Sequence, residues 1–458
     1  MFTSQIRFGT DGWRSRMDAD FNRTNVRRLA YAVGKYLSKK QGKSVIVGYD
    51  TRRNSSVFAL DVASVLGAMG YKVQLTSRPT PTPVVAYTVV RTQALAAVQI
   101  TASHNPPIYN GFKFIPDYGG PAFPEITSEI ESYLPEGDVY TQQLEAQRFD
   151  PMADYFEFVS KNVDLTRLQG LKIVTDPLYG AGFGYLSTLL SRFGAKVEEI
   201  HGYPDPEFGG LSPEPNRENT RELAKKVVES KADFGIANDG DADRFAAVDE
   251  KGEHYSSNML VLVIADYLFR LKGLRGKVAR SVSTTSKLDK LCARYGIPVV
   301  ETPVGFKYLA KELMSGAVLA AEESGGIGYG WSVPEKDGLM SGALLCEAIS
   351  KQGRSLKEVW ERVQDELGEY HYLQYNFPAK DELKARIERL RAQEIERLNG
   401  IPVKTKITID GLKLVLQDGS WVLLRPSGTE PLIRVYIEAT EQRLLEELKK
   451  AADKLILG

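Results

Sequence analysis

Residues 101–113 read TASHNPPIYNGFK, directly after the apolar, β-rich run ALAAVQIT at 94–101. Two prolines, two asparagines and a glycine behind a buried-looking strand mark a loop. The same arrangement occurs twice more: Asn238 runs into DGDADR (239–244), and Ala321 into EESGG (322–326). Open α/β sheets bind ligands beyond the carboxyl ends of their strands. Three such loops facing one cleft predict a composite site.

Around these loops, strand-like and amphipathic runs alternate. The strands SVIVG (44–48) and YKVQLT (71–76) flank the helix-like VFALDVASVLGAMG; LKIVTD (171–176), KVEEI (196–200) and DFGIAN (233–238) form a second series, with helices from about Phe183 and over 217–230. A third contains KVARSVST (277–284), IPVVET (297–302) and AVLAA (317–321). Such alternation predicts α/β layers with largely parallel sheets. From about His371 the pattern changes to HYLQYNF, a charged helix KDELKARIERLRAQEIERL, the strands TKITID, LKLVLQD, WVLLRP and LIRVYIEA, and a final helix. That tail reads as a smaller α+β domain with an antiparallel sheet, joined by a hinge near 366–377.

The chain has 458 residues, and domains of about 100 to 200 residues predict three or four of them. Lys plus Arg and Asp plus Glu both number 59, so no net field favours nucleic acid or an anionic membrane, and a small molecule is the expected partner. The opening MFTSQIRFGTDGW is polar and lacks signal-peptide character. The most apolar run, MLVLVIADYLF (259–269), is broken by Asp266 and too short to span a bilayer. Two distant cysteines, Cys292 and Cys346, fit a reducing compartment. A soluble, cytoplasmic protein is expected.

Each loop carries its own chemistry. Asp239, Asp241 and Asp243 offer hard oxygens suited to Mg²⁺, which takes a few carboxylates together with phosphate or water. An EF-hand is excluded although Glu250 falls at the twelfth position: Arg244 occupies the sixth, where Gly is required, and a strand precedes the loop. The alternative is an acidic solvated turn. In RPSGTEP (425–431), Arg425, Ser427, Gly428 and Thr429 can cradle a phosphate, unless the segment is only a hairpin turn. Ser103 stands where a strand end presents a nucleophile, with His104 and Lys113 to handle its charge or proton. Carboxylates and a hydroxyl at 321–326 suit vicinal sugar hydroxyls, a weaker signal. A serine, a cation site and a phosphate cradle point to phosphoryl transfer. No Walker or kinase glycine-rich motif is present, so ATP is not the expected donor.

These four loops, in this order and with FGTDGWR (8–14), resemble the α-D-phosphohexomutase superfamily over nearly the whole chain. The resemblance implies three related α/β domains with mixed, largely parallel sheets and a C-terminal α+β domain, heart-shaped around a central cleft. Their expected extents are 1–150, 151–254, 255–370 and 371–458. It implies that Ser103 is the phosphoserine and, with Asp239, Asp241 and Asp243, a ligand of Mg²⁺. Arg14 and Arg244 would supply positive charge there, and His104 and Lys113 proton transfer or positioning. Glu322 and Ser324 would hold sugar hydroxyls, Lys307 of PVGFK would help orient the sugar, and Arg425, Ser427, Gly428 and Thr429 would take the distal phosphate. The implied reaction interconverts glucose 1-phosphate and glucose 6-phosphate through glucose 1,6-bisphosphate, which also serves as activator, in a monomer or homodimer. Glu323 and Gly326 replace the Met or Gln and the terminal His of mannose-tolerant and glucosamine-type members, which favours glucose, with mannose second. Phosphomannomutase or phosphoglucosamine mutase activity is the alternative. A serine-nucleophile phosphatase and a sugar-phosphate sensor are the readings from other classes.

Overall fold

The computed structural model describes residues 6–9, 11–140, 146–427 and 431–458. Four sheets follow one another along the chain. The first orders Trp13–Arg16, Tyr109–Pro116, Ala96–Ile100, Ser44–Tyr49, Lys72–Thr76 and Gln147–Phe149. Its last four strands are parallel and its first two antiparallel to their neighbours. The second orders His254–Tyr255, Phe245–Asp249, Phe234–Asn238, Lys172–Asp176 and Lys196–Glu199; the third, Val299–Thr302, Val278–Ser281, Leu319–Ala321 and Ile327–Tyr329.

All three sheets share one device. A buried parallel strand (Ala96–Ile100, Phe234–Asn238 or Leu319–Ala321) returns at once through an antiparallel neighbour, and the connection is one of the three polar loops. Flanking such a loop with hydrogen-bonded strands on both sides fixes it more firmly than a crossover to a helix would. The fourth sheet is antiparallel throughout: His371–Pro378, Leu432–Ala439, Trp421–Pro426, Leu412–Leu416, Ile401–Ile407 and Arg397–Leu398.

Helices cover the sheets for readable reasons. In Arg23–Leu37, Val26, Leu29, Ala30, Val33 and Leu37 recur at helical spacing and are buried, while the Asn22 side chain caps the start by accepting from Asn25 N. The helix Ser257–Arg270 is buried nearly all round, and its Asp266 is paired with Arg270 and Arg362. That helix and Gly338–Gln352 knit the second and third sheets into one continuous core containing Ile236, Val263, Leu319 and Leu344. A separate cluster of Val282, Trp421, Leu423 and Tyr436 seals the third domain against the fourth. Among the described residues no helix is long and apolar enough to cross a membrane.

Two expected helices are shorter than their patterns. The one expected over 217–230 is Arg221–Ser230, because the Asn216 side chain accepts from Asn219 N and caps a separate turn over 217–220. The charged helix of the tail stops at Ala392: Asn399 and Gly400, both with positive φ, turn Arg397–Leu398 back onto Ile401–Ile407 as a hairpin.

Candidate active site

Ser103 is buried and held at φ +51, a left-handed conformation that costs a non-glycine residue about 1 to 3 kcal/mol. Its surroundings over-determine it. Ser103 N donates to Thr101 Oγ1 at 2.9 Å, and the buried Arg52 guanidinium donates to the carbonyls of Ser103, Asn105, Pro106 and Tyr109 at 2.6 to 3.0 Å. Arg52 is paired with Asp50 and lies over the Phe208 ring. Ser103 Oγ is thereby aimed at Asp239 Oδ2, to which it donates at 2.7 Å; His104 Nδ1 is 3.3 Å away. Burial, then the charges of Arg244, Arg14, Arg52 and Lys113, hold the His104 pKa well below its usual value, so the ring is neutral.

Asp239, Asp241 and Asp243 are buried, and their ligand atoms lie within 4.8 Å of one another. Asp241 Oδ2 accepts from Thr82 Oγ1 at 2.5 Å and Lys113 Nζ at 2.9 Å, and Asp243 Oδ2 from Lys113 Nζ at 3.0 Å. Asp241 Oδ1 and Asp243 Oδ1 are buried without a hydrogen-bond partner among the described residues. Burial, then the charges of Asp243 and Asp241, push the Asp239 carboxyl well above its usual range. Crowded carboxylates with orphaned oxygens fit a hard divalent cation, which satisfies those oxygens and removes the repulsion.

Behind the trio, Ala181 N donates to Gly240 O, so the segment after Lys172–Asp176 braces the aspartate loop. His201 fixes that segment: its ring nitrogens lie 3.0 Å from Asp176 Oδ1 and 2.9 Å from Glu222 Oε2. The hydrogen bond to Asp176 outweighs burial and raises the His201 pKa. A raised folded pKa gives stability that is full below the unfolded value and is lost as pH rises through the folded one. Wild type should therefore melt above His201→Gln at pH 6, and the gap should close as pH rises through the alkaline side of His201's titration, as read by thermal unfolding.

A cavity of about 760 Å³ lies where the four domains meet. Arg14, His104 and Arg244 line it on the serine side; Glu322, Glu323, Ser324 and Lys336 line the part built by the third domain, and Arg425 and Arg434 the fourth. Ser103, Lys113, Asp239 and Asp243 are buried and touch lining residues, and Asp241 is joined to them through Lys113. Arg14 Nη1 donates to Asn105 Oδ1 at 2.7 Å. Arg425 and Arg434 stand directly opposite each other on neighbouring strands. Like charges in that position destabilise a sheet unless an anion joins them. Ser427 is buried beside them, its carbonyl accepting from Lys384 Nζ, while Gly428 and Thr429 lie outside the described residues.

Lys307 has different surroundings from its neighbours in the sequence. Lys307 lines a small pocket of about 190 Å³ next to Arg425, not the main cavity, which takes Val304, Gly305 and Phe306 instead. The helix Phe306–Met314 begins there, and Lys307 lies in its first turn.

Residues not anticipated complete the site. Asp11 Oδ2 is 2.8 Å from Lys113 Nζ and 3.3 Å from Lys336 Nζ, and Lys336 Nζ is 3.1 Å from Asp243 Oδ2. Burial raises the Asp11 pKa, but Lys113, Lys336 and Arg14 together bring it well below the usual range. Lys336 also accounts for Gly326: a Cβ there would sit 2.4 Å from Lys336 Cδ and 2.9 Å from its Cγ. The glycine makes room for the lysine stem. Gly326→His should displace Lys336 and lower kcat/KM by roughly 10- to 100-fold, the price of about 1 to 3 kcal/mol of overpacking in the site, as measured by steady-state kinetics.

Comparison with known proteins agrees over the whole length. Residues 5–141, 153–252 and 256–366 match the phosphoglucomutase/phosphomannomutase alpha/beta/alpha domains I, II and III, and residues 378–455 the phosphoglucomutase/phosphomannomutase C-terminal domain. A Pyrococcus abyssi protein named a probable phosphoglucosamine mutase is 35% identical over 98% of this chain and 97% of its own. A Thermococcus kodakarensis phosphoglucomutase/phosphomannomutase is 30% identical over 98% of each chain. A solved Thermus thermophilus structure, named a putative phosphomannomutase, superposes with a TM-score of 0.89 at 33% identity, covering 99% of this chain and 100% of that one.

Proposed function

Because the chain belongs to the phosphoglucomutase/phosphomannomutase family, and is thus an intramolecular phosphotransferase, we propose that it interconverts glucose 1-phosphate and glucose 6-phosphate, with mannose phosphates as second substrates. The observation that carries this reading is that one cavity has two poles: Ser103 Oγ, hydrogen-bonded to Asp239 and set behind the lining residue His104, and the strand-paired Arg425 and Arg434, which line the cavity from the fourth domain. A hexose bisphosphate has two anionic ends and needs two such poles.

In this mechanism phosphorylated Ser103 gives its phosphoryl group to the free hydroxyl of the hexose monophosphate. The resulting glucose 1,6-bisphosphate reorients, and its other phosphate returns to Ser103. Arg14 and Arg244 hold the charge of the phosphoserine, about −1.5 to −2 near neutral pH. Neutral His104 and the charged Lys113 and Lys336 orient the hydroxyl and screen the oxygens; Glu322 and Ser324 grip sugar hydroxyls. Arg425, Ser427, Gly428 and Thr429 bind the phosphate not in transfer, with Lys307 near it. Mg²⁺ held by Asp239, Asp241, Asp243 and the Ser103 phosphate would neutralise charge in the transfer. The reading places the enzyme in the cytoplasm as a monomer or homodimer.

A second reading, phosphoglucosamine mutase, is favoured by the Pyrococcus abyssi relative. Groups that hold the 3- and 4-hydroxyls do not distinguish sugars differing at carbon 2; that takes a buried partner for the differing group. Loading with glucose 1,6-bisphosphate followed by peptide mass analysis tests the common core. The phosphoryl group should reside on Ser103 and leave onto added glucose 1-phosphate. Its release as inorganic phosphate would make the protein a phosphatase.

A further inference from the structure

The seam between the third and fourth domains holds a carboxylate that no step above uses. Asp410 Oδ2 accepts from two donors on different domains: Arg425 Nε at 2.7 Å and Val304 N at 2.9 Å. The first donor belongs to the strand that leads into the phosphate loop. The second belongs to the segment 303–306, whose Val304, Gly305 and Phe306 line the main cavity. Asp410 itself lies in the small pocket with Lys307 and Arg425, largely shielded from solvent.

The turn that delivers Asp410 is built for this spot. Gly411 has φ +88, and a Cβ on it would come within 2.4 Å of Leu424 O and 3.0 Å of Arg425 Cα. The Asp-Gly turn is thus pressed against the strand just where Arg425 emerges. A carboxylate on Nε fixes the plane of a guanidinium without covering the face that lines the cavity. It also offsets the repulsion between Arg425 and Arg434 before a phosphate arrives.

We propose that Asp410 is a positioning residue that orients Arg425 for the distal phosphate and, through Val304 N, makes that orientation dependent on docking of the fourth domain against the sugar-facing segment. Phosphosugar binding and closure of the seam are then one event. The proposal rests on the phosphohexomutase reading, which assigns the distal phosphate to Arg425.

The test is calorimetric binding of glucose 6-phosphate, with steady-state kinetics in parallel, on wild type, Asp410→Ala, Arg425→Ala and the double variant. Asp410→Ala should weaken binding and raise KM by roughly tenfold while kcat stays within about threefold. In the Arg425→Ala background the same change should add less than about twofold, since it acts through the residue already removed. Asp410→Asn, which keeps an acceptor oxygen, should recover most of the affinity; Asp410→Leu, which fills the space without an acceptor, replaces Asp410→Ala if that variant does not fold. Unchanged affinity in Asp410→Ala, or a full loss added on top of Arg425→Ala, overturns the proposal. A purely structural residue would lower thermal stability and leave the coupling to Arg425 absent. Failure of the wild type to bind glucose 6-phosphate would instead strike the functional reading on which the proposal rests.

Discussion

Ser103→Ala is expected to lower the rate of hexose phosphate interconversion by at least about 10⁴-fold, with the fold and the affinity for glucose 6-phosphate nearly unchanged. The described residues of the site offer no substitute nucleophile. The His104 ring is neutral and adjacent, but its Nδ1 is 3.3 Å from Ser103 Oγ, whereas the hydroxyl itself is the group directed at Asp239. Lys113 is committed to Asp11, Asp241 and Asp243, and these partners, against the opposing effect of burial, keep its pKa well above normal and the amine protonated. Removing one hydroxyl leaves Asp239 Oδ2 without that donor, a cost of about 1 to 3 kcal/mol that a bound cation would offset. Thermal unfolding and calorimetry check the fold and the binding; a coupled assay checks the rate. More than about a per cent of wild-type activity in the variant would remove the covalent role of Ser103.

Removal of divalent metal is expected to cost nearly as much, on the order of 10³-fold in kcat. Asp241 Oδ1 and Asp243 Oδ1 have no hydrogen-bond partner among the described residues, and Lys113 reaches only the other oxygens of those carboxylates. Mg²⁺, small and content with a few carboxylates plus phosphate, should restore the rate after chelation; Ca²⁺, which prefers about six to eight oxygens at longer distance, should restore it poorly. Asp241→Asn should raise the Mg²⁺ concentration required for half-maximal rate by at least about tenfold. Full activity in metal-free protein would show that the trio is structural.

The parts of the site legible in the sequence are those confined to one loop. Ser103, the aspartates at 239, 241 and 243, and the carboxylates at 322 and 323 each announce themselves because a strand end and a polar run adjoin in the chain. The parts that were not legible depend on distance. Lys336 meets Asp11 across 325 positions, and Arg52 clamps carbonyls more than fifty residues away. Neither residue sits in a pattern that periodicity or turn chemistry could single out. Gly326 was visible as a departure, but its reason, the stem of Lys336, is purely three-dimensional. Lys307, adjacent in sequence to the lining residues, lies in the small neighbouring pocket at the start of a helix, a placement the loop pattern does not encode. The alternation of the chain pointed to the three α/β layers, while the antiparallel return strands that frame each loop are a matter of topology that short apolar runs do not encode.

The measurement that tests the central claim most directly is a phosphorus NMR time course with Mg²⁺, a trace of glucose 1,6-bisphosphate, and equal amounts of glucose 1-phosphate, mannose 1-phosphate and glucosamine 1-phosphate. Conversion to 6-phosphates without inorganic phosphate is the predicted result, glucose fastest and mannose second; a lead for glucosamine would select the second reading. Accumulation of inorganic phosphate in place of 6-phosphates would contradict the account of Ser103 as the phosphoryl carrier of a mutase.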